Sequence, residues 1–225
     1  MIYVTGDVHI PYDVSKLNTK KFPEQKNLTE NDYVIICGDF GAVWDNSNEE
    51  HYWRKWFEQK NFTTLFIDGN HENFDMLKTF DVVDFKGGKA HKINDKIYHL
   101  MRGQIYNIEG KSIFTFGGAS SHDKERRTEN INWWKEELPT EAELQLARHN
   151  LSKANWKVDY IITHCTSTSW QRYFNVTFKA DMLTDFLDEI KEKLTYQKWF
   201  WGHYHLDIAF DDKHTMIFNK VIKLY

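Results

Sequence analysis

The chain contains little cysteine and little proline. Two cysteines, Cys37 and Cys165, occur among 225 residues, which is too few for a disulfide framework and favours a reducing, intracellular environment. Its three prolines mark no linker, and no internal repeat or low-complexity segment interrupts the sequence. We therefore expect a single domain over residues 1–225, long enough to bury a substantial core.

Long apolar runs and an excess of positive charge are also absent. No segment approaches the ~20 apolar residues of a membrane-spanning helix, and residues 1–5 begin as a strand-like segment without the basic region that opens a signal peptide. These absences predict a cytoplasmic protein with no membrane attachment. The net charge of −4 argues against tight non-specific binding of nucleic acid, although bound cations would still allow a phosphorylated substrate.

What the sequence does contain is a large apolar fraction in a regular order. Hydrophobic residues make up 41% of the chain and aromatic residues 16%, which predicts a packed globular protein. β-rich runs alternate with helical stretches in the first half, as in βαβ units. Gly110 between two β-rich runs predicts a hairpin. Thr140 with Glu143 predicts a capping box for a helix that runs to about Ala154, and a further helix is expected at 179–193.

Polar side chains follow the apolar, β-rich runs at five points. The segments are Asp7-Val8-His9, Gly38-Asp39, Gly69-Asn70-His71-Glu72, Thr163-His164 and Gly202-His203-Tyr204-His205. Because ligands bind at the carboxyl ends of strands in open α/β sheets, these side chains are expected to converge on one point. Carboxylate, imidazole and amide donors suit Mn, Fe, Zn, Co or Ni, and no thiolate cluster indicates a structural zinc site. The sequence therefore predicts a two-metal hydrolase.

These segments resemble the motifs of the calcineurin-like metallophosphoesterases. GDVH, GDFG, GNHE, THC and GHYH stand in that family's order between residues 5 and 205. The resemblance implies an α/β fold, a four-layer sandwich of two mixed β-sheets flanked by helices, with a dimetal site at the carboxyl ends of the strands. It also implies two divalent metal ions as cofactors, with manganese favoured over iron, zinc, cobalt or nickel.

The resemblance also implies a role for each site residue. Asp7, His9 and His205 would bind the first metal, Asn70, His164 and His203 would bind the second, and Asp39 would bridge the two. A hydroxide between the metals would attack a phosphomonoester or phosphodiester. His71 would protonate the leaving oxygen, while Glu72 would make supporting hydrogen bonds.

Departures from the family pattern bear on the substrate. Protein phosphatases of the superfamily carry GDxVDRG at the second motif, whereas this chain has GDFGAVW, which lacks the acidic partner of the catalytic histidine and the adjacent arginine. Asp45 is a possible substitute partner for His71. Purple acid phosphatases add a tyrosine ligand after the second motif, where this chain has Phe40 and Trp44. Neither subfamily is favoured.

The polar segment that follows Gly118 is the candidate for substrate selection. We expect 120–150 to be an insertion that selects the substrate, with His122, Arg126 and Arg127 as substrate-binding residues. A solvated, charged loop explains the same residues equally well. The favoured substrate is a phosphorylated small molecule or nucleotide, with no obligate protein partner.

Two other functions stay open from the sequence. A nuclease would use the arginine-containing loop and nearby tryptophans to track single-stranded nucleic acid. A non-catalytic scaffold is less favoured, because scaffolds of this kind lose ligands that this chain retains. The remaining histidines have no companion at ligand spacing and are expected at the surface: His51, His91, His99, His149 and His214.

Overall fold

The computed structural model describes all 225 residues, which form thirteen strands and five α-helices. The strands are β1 (Ile2–Thr5), β2 (Tyr33–Ile36), β3 (Thr63–Phe66), β4 (Val82–Phe85), β5 (Gly88–Lys92), β6 (Ile97–Leu100), β7 (Gln104–Ile108), β8 (Lys111–Phe116), β9 (Tyr160–Thr163), β10 (Lys198–Trp201), β11 (Ile208–Ala209), β12 (His214–Met216) and β13 (Val221–Lys223). The helices are α1 (Asn48–Glu58), α2 (Phe74–Leu77), α3 (Glu141–Lys153), α4 (Thr168–Phe174) and α5 (Met182–Lys193).

The strands are divided between two mixed sheets. The first sheet has seven strands in the order β13-β1-β2-β3-β6-β5-β4, and the second has six in the order β11-β12-β10-β9-β8-β7. In the first sheet β1, β2, β3 and β6 are parallel, and in the second β8, β9, β10 and β12 are parallel. The carboxyl ends of the parallel strands therefore share one edge of each sheet.

Three apolar clusters separate the layers. One lies between the sheets and joins Ile35 of the first sheet to Ile162 of the second. Another packs α3 and α5 against the outer face of the second sheet, and the third packs Phe57 of α1 beside Phe66 on the outer face of the first. The result is helices, sheet, sheet, helices, so the predicted α/β architecture of two mixed sheets flanked by helices is confirmed.

Short-range signals located most of the elements well. β7 and β8 form the predicted antiparallel hairpin, with Glu109 and Gly110 both at positive φ in its turn. The capping box of Thr140 and Glu143 is present and opens α3. The helix expected at 179–193 begins only at Met182, because the side chain before it, Asp181, accepts the first amide hydrogen bonds.

Other elements have no clear pattern in the sequence that would predict them. β5, β6, α4 and β13 were not predicted. β5 reads Gly-Lys-Ala-His-Lys, and its polar side chains hide the alternation on which strand prediction depends. α4 has seven residues, too few for a helical period to be apparent in the sequence. None of the helices combines the length and the apolar character needed to cross a membrane.

The prediction of surface histidines was wrong for three of the five. His51 and His149 are exposed, whereas His91, His99 and His214 are buried. Each buried ring has a polar partner that the sequence did not reveal: His91 Nδ1 lies 2.9 Å from His99 Nδ1, and His214 Nε2 lies 2.7 Å from the Tyr196 hydroxyl. Burial of an imidazole is tolerated where such hydrogen bonds replace water.

A buried ion pair joins the first sheet to the segment before α3. Nε and Nη2 of Arg102 donate to Oδ2 of Asp68 at 2.8 and 2.6 Å, and His99 Nε2 lies 3.1 Å from the other carboxylate oxygen. Although burial opposes it, Arg102 and His99 hold the pKa of Asp68 well below its usual value. Arg102 also donates to the main-chain oxygen of Glu136 at 2.7 Å, so this pair fixes the loop after β3.

Replacing Arg102 should therefore be costly. Arg102→Leu leaves the Asp68 carboxylate buried without its main partner, and we expect a loss of about 3–5 kcal/mol in unfolding free energy. Lys89→Met removes an ion pair with Asp84 in which both side chains are more than half exposed, and should cost less than about 1 kcal/mol. Urea unfolding of both variants measures the difference, and equal losses would contradict the structural role of Arg102.

Candidate functional site

The polar residues that follow the parallel strands of the two sheets lie close together in the folded chain. Asp7, Asp39 and Asn70 come after β1, β2 and β3 of the first sheet. His164 comes directly after β9, and His203 and His205 follow β10, both in the second sheet. Both groups lie at the carboxyl ends of parallel strands. The side chains that could bind a metal therefore come from both sheets and face one another.

The backbone at this edge is unusual. His9, Asp39, His203 and His205 all have positive φ, at 38°, 49°, 67° and 53°. Residues other than glycine rarely adopt this left-handed backbone conformation. It costs of order 1 kcal/mol or more per residue and is concentrated at functional sites. The packing around these residues therefore holds them in positions that the isolated chain would not favour.

Two glycines allow the loops to approach the carboxylates closely. A Cβ on Gly69 would lie 2.0 Å from Asp39 Oδ1, and one on Gly202 would lie 2.1 Å from Asp7 Oδ1. Neither space can hold a methyl group without moving the carboxylate. These glycines are therefore required for contact between loops rather than for a turn.

One group of donors is formed by Asp7, His9 and His205, whose ligand atoms all lie within 4.8 Å of one another. His205 Nε2 is 3.2 Å from Asp7 Oδ2, and the ring centroids of His9 and His205 are 4.9 Å apart. The Asp7 carboxylate is completely buried, whereas His205 is exposed. The group could hold one divalent cation.

A second group contains Asp7, Asp39 and His164, again with ligand atoms within 4.8 Å. His164 Nε2 lies 3.4 Å from Asp39 Oδ2 and 3.1 Å from Asn70 Oδ1. The same Asp39 oxygen lies 3.3 Å from His9 Nε2. Asp39 thus stands between the two groups, and Asp7 is within reach of both.

Hydrogen bonds outside the cluster orient its imidazoles. His164 Nδ1 donates to the carbonyl oxygen of Cys37 at 2.7 Å, and His9 Nδ1 lies 2.9 Å from Asp13 Oδ2. Each bond leaves Nε2 directed toward Asp39. Histidines that bind metals commonly have such a partner on their other nitrogen, so both residues present the atom that a cation would require.

The pKa values identify what this cluster lacks. Although burial alone would lower it, Asp39 and Asp7 raise the pKa of His164 to about 10. Burial would likewise raise the pKa of Asp39, but His164 and His9 hold it well below its usual value. The buried carboxylates therefore retain their charge and draw a proton onto His164. A divalent cation would supply the same compensation, and carboxylate and imidazole donors fit Mn, Fe, Zn, Co and Ni.

His203 lies at the side of the second group. Its ring centroid is 5.0 Å from that of His164 and 6.3 Å from that of His122. Its amide donates to both carboxylate oxygens of Asp7, at 2.9 and 3.1 Å. Burial lowers the pKa of His203 to about 3, and the neighbouring His164 acts in the same direction, so its ring is neutral and can donate a lone pair.

His71 stands beside the cluster, with its ring centroid 5.9 Å from that of His9. Its amide donates to Asp39 Oδ1 at 2.7 Å, and its Nδ1 accepts a hydrogen bond from Arg127 Nη1 at 3.1 Å. Burial lowers the pKa of His71, and although Asp39 opposes this, the charge of Arg127 lowers it further. No hydrogen bond joins Asp45 to His71 in the structure, and Asp45 Oδ1 accepts the Ser47 amide.

The residues predicted to bind substrate are placed differently from one another. Arg127 reaches His71 and also pairs with Asp123 at 2.8 Å. The Arg126 side chain is exposed and makes no hydrogen bond or ion pair, whereas the exposed His122 lies near His203. The later part of the predicted 120–150 insertion is α3, which belongs to the helix layer of the second sheet.

Several supporting residues were missed from the sequence. Asp13 could have been found, since it stands four residues after His9. Ser121 and Glu137 gave no signal, because their partners lie far away in the chain. Glu72 makes the expected kind of hydrogen bond: its Oε1 accepts the Phe40 amide at 2.8 Å, and burial raises the pKa of Glu72 well above its usual value.

Two cavities open on either side of the cluster. One, of about 440 Å³, is lined by His9, Ile10, Pro11, Tyr12, Asp13, Asp39, Gly41, Trp44, Asp45, Ser47, Glu49, Glu50, His71 and His205. The other, of about 670 Å³, contains His203, Ser121 and His122 among its lining residues. The cluster is therefore accessible from two directions, and His71 faces the smaller cavity.

A fold of this type with carboxylates and imidazoles at the strand ends is typical of hydrolases that use divalent cations. Residues 1–207 match the family model described as calcineurin-like phosphoesterase. The chain therefore belongs to this family, as the motif order predicted. The family typically uses a dinuclear metal centre, for which the chain has candidate ligand groups. A comparison with curated proteins finds none that matches the chain.

Among solved structures, the chain is similar to that of a Staphylococcus aureus protein described as a 5'-nucleotidase, in complex with alpha-ketoglutarate. The two share 15% sequence identity, with a TM-score of 0.50. The match covers 96% of this chain and 47% of the other, so this chain spans about half the length of the solved one. At this identity the likeness concerns the fold alone.

The close approach at Gly202 generates a prediction. Gly202→Ala should displace the Asp7 carboxylate, and we expect the metal-free protein to bind Mn²⁺ at least ~10-fold more weakly. Gly110→Ala is the control: nothing lies within 4 Å of its Cβ, so it should cost some stability through its positive φ and leave Mn²⁺ affinity unchanged. Calorimetric titration measures both, and unchanged affinity in Gly202→Ala would contradict the assignment of Asp7 to the metal site.

Proposed function

We propose that the protein hydrolyses phosphoesters of small molecules with two divalent cations bound at the strand-end cluster. The observation that supports this most is the convergence of Asp7, Asp39 and His164 from both sheets beside a neutral His71. Manganese and a cytoplasmic location stay predictions, as do a single domain over 1–225 and substrate selection by 120–150. Activity after reloading metal-free protein with Mn, Fe, Zn, Co or Ni separates the candidate metals.

The proposed ligand roles are those that the family motifs imply, and the first set coincides with the first group of donors. Asp7, His9 and His205 would hold one cation, Asn70, His164 and His203 would hold the other, and Asp39 would contact both. When bound, the cations would neutralise the phosphate and make attacking hydroxide available near neutral pH. The protein residues orient these donors, and the carboxylates of Asp7 and Asp39 are shielded from bulk water.

His71 is proposed to protonate the leaving oxygen. A guanidinium group can only donate hydrogen bonds, so the contact with Arg127 makes His71 Nδ1 an acceptor and leaves the proton of the neutral ring on Nε2. That proton is then available to an alkoxide that departs into the smaller cavity. Arg127 thereby replaces the acidic partner of protein phosphatases with a basic one.

The smaller cavity supports a particular class of leaving group. Its wall carries the carboxylates of Asp13, Asp45 and Glu49, and it includes no lysine or arginine. The carboxylate of Glu50, which also lines it, is paired with Arg54. An anionic leaving group would be repelled there, because like charges several ångströms apart interact by about 1 kcal/mol or more. We therefore propose a monoester of an uncharged or cationic alcohol. A nucleoside monophosphate fits, with its uncharged nucleoside beside the aromatic rings of the wall.

The same wall argues against the nuclease alternative. A nucleic-acid strand would place phosphates on both sides of the scissile bond, and one of them would enter the acidic cavity. Strand-binding grooves are positively charged, whereas Arg126 is isolated at the surface and Arg127 is engaged with His71. Hydrolysis of single-stranded DNA or RNA with a steep salt dependence would overturn this preference.

The role of His71 can be tested by leaving-group dependence. His71→Gln should lower kcat for an alkyl phosphate by ~10²–10⁴-fold, because its leaving oxygen needs a proton. It should affect nitrophenyl phosphate much less and leave the metal content unchanged. His149→Gln on the exposed surface of α3 is the control. Equal losses on both esters, or loss of metal, would contradict the role of His71 as a proton donor.

Charge selectivity tests the cavity. Phenyl phosphates with a para carboxylate, amide or trimethylammonium group differ in leaving-group charge. In Asp45→Asn/Glu49→Gln, kcat/KM for the carboxylate substrate should rise about tenfold relative to the amide, equivalent to ~1.4 kcal/mol. Comparing variant with wild type removes differences in intrinsic reactivity. Glu58→Gln, on the exposed face of α1, should leave the ratio unchanged, and an unchanged ratio in the double variant would refute the proposed selectivity.

A further inference from the structure

A buried serine outside the metal-binding motifs contacts one of the proposed ligands. Ser121 follows β8 and is 3% exposed. Its hydroxyl oxygen accepts a hydrogen bond from Asn70 Nδ2 at 3.1 Å. This is the one hydrogen bond made by that amide nitrogen, and it joins loops that are 51 residues apart in the chain.

Ser121 is itself held in place. Its amide donates to Glu137 Oε2 at 2.9 Å, and the Glu137 side chain is buried. The neighbouring main-chain oxygen of Glu136 accepts from Arg102, which is paired with buried Asp68. The serine hydroxyl therefore has a fixed position relative to the loop after β3, which carries Asn70.

In the structure this contact accompanies one orientation of the asparagine amide, with the oxygen toward the cluster. An asparagine side chain has one oxygen that accepts and one nitrogen that donates. With Nδ2 bonded to Ser121, Oδ1 is directed to His164 Nε2 at 3.1 Å. The reversed amide would direct N–H groups toward a cation and could not bind it.

We propose that Ser121 is a positioning residue that orients the Asn70 amide for metal binding. The inference rests on the proposed function for the identity of Asn70 as a ligand. Its effect should fall on the cation bound by Asn70 and not on the one bound by Asp7, His9 and His205. Loss of a hydrogen bond behind a ligand typically weakens metal binding ~10–100-fold.

The experiment is a calorimetric titration of metal-free protein with Mn²⁺, which needs no turnover. Ser121→Ala should weaken one equivalent of Mn²⁺ by ~10–100-fold and leave the other unchanged, while Ser121→Thr should restore it. Ser120→Ala is the matched control, since Ser120 lines the same cavity without a side-chain hydrogen bond. Wild-type binding in Ser121→Ala, or equal weakening in Ser120→Ala, would overturn the proposal.

Repeating Ser121→Ala in an Asn70→Asp variant distinguishes loss of amide orientation from a general disturbance of the site. In Asn70→Asp both terminal atoms are oxygens, so no amide needs orienting, and adding Ser121→Ala should cause little further loss of Mn²⁺ affinity. A penalty as large as in the wild-type background would show that Ser121 acts otherwise than by orienting the amide, and would overturn the proposal. A rise in KM with unchanged Mn²⁺ affinity would assign Ser121 to substrate binding and also overturn it. Absence of phosphoester hydrolysis in wild type would refute the proposed function while the titration still reports on Ser121.

Discussion

The central constraint is the burial of two carboxylates a few ångströms apart. Asp7 and Asp39 are removed from water, and the desolvation of each charge must be offset by positive charge close by. Without a cation, the two carboxylates raise the pKa of His164, so that its positive charge offsets theirs. Three features bring metal-binding side chains close to these two carboxylates. They are the positive φ of the ligand loops, the close approach of Gly69 and Gly202, and the hydrogen bonds that His9 and His164 make through Nδ1.

The part of the site that lies directly after strands was predictable from the sequence. The end of a β-rich run predicts the end of a strand, and the site residues stand within a few positions of it, as Asp7 does after β1 and His164 after β9. The order of the motifs then indicated the family, and the family implied the layered fold. The hairpin at Gly110 and the cap at Thr140 were predictable for the same reason, because their partners are near in the chain.

Contacts between distant loops could not be predicted in this way. Arg127 meets His71 across 56 residues, and no local pattern distinguishes it from exposed Arg126 beside it. The histidines of β5 and β6 looked like surface residues because their spacing matches no ligand motif. Their burial depends on the pairing of the two strands and on Asp68, which is a property of the folded chain.

The origin of the donors in two different sheets has a thermodynamic consequence. Asp7, Asp39 and Asn70 belong to one sheet, whereas His164, His203 and His205 belong to the other. Any ion that binds donors from both sets is a non-covalent cross-link between the halves of the sandwich. The free concentration of that ion then enters the folding equilibrium itself. Metal supply would therefore set how much of this protein survives proteolysis.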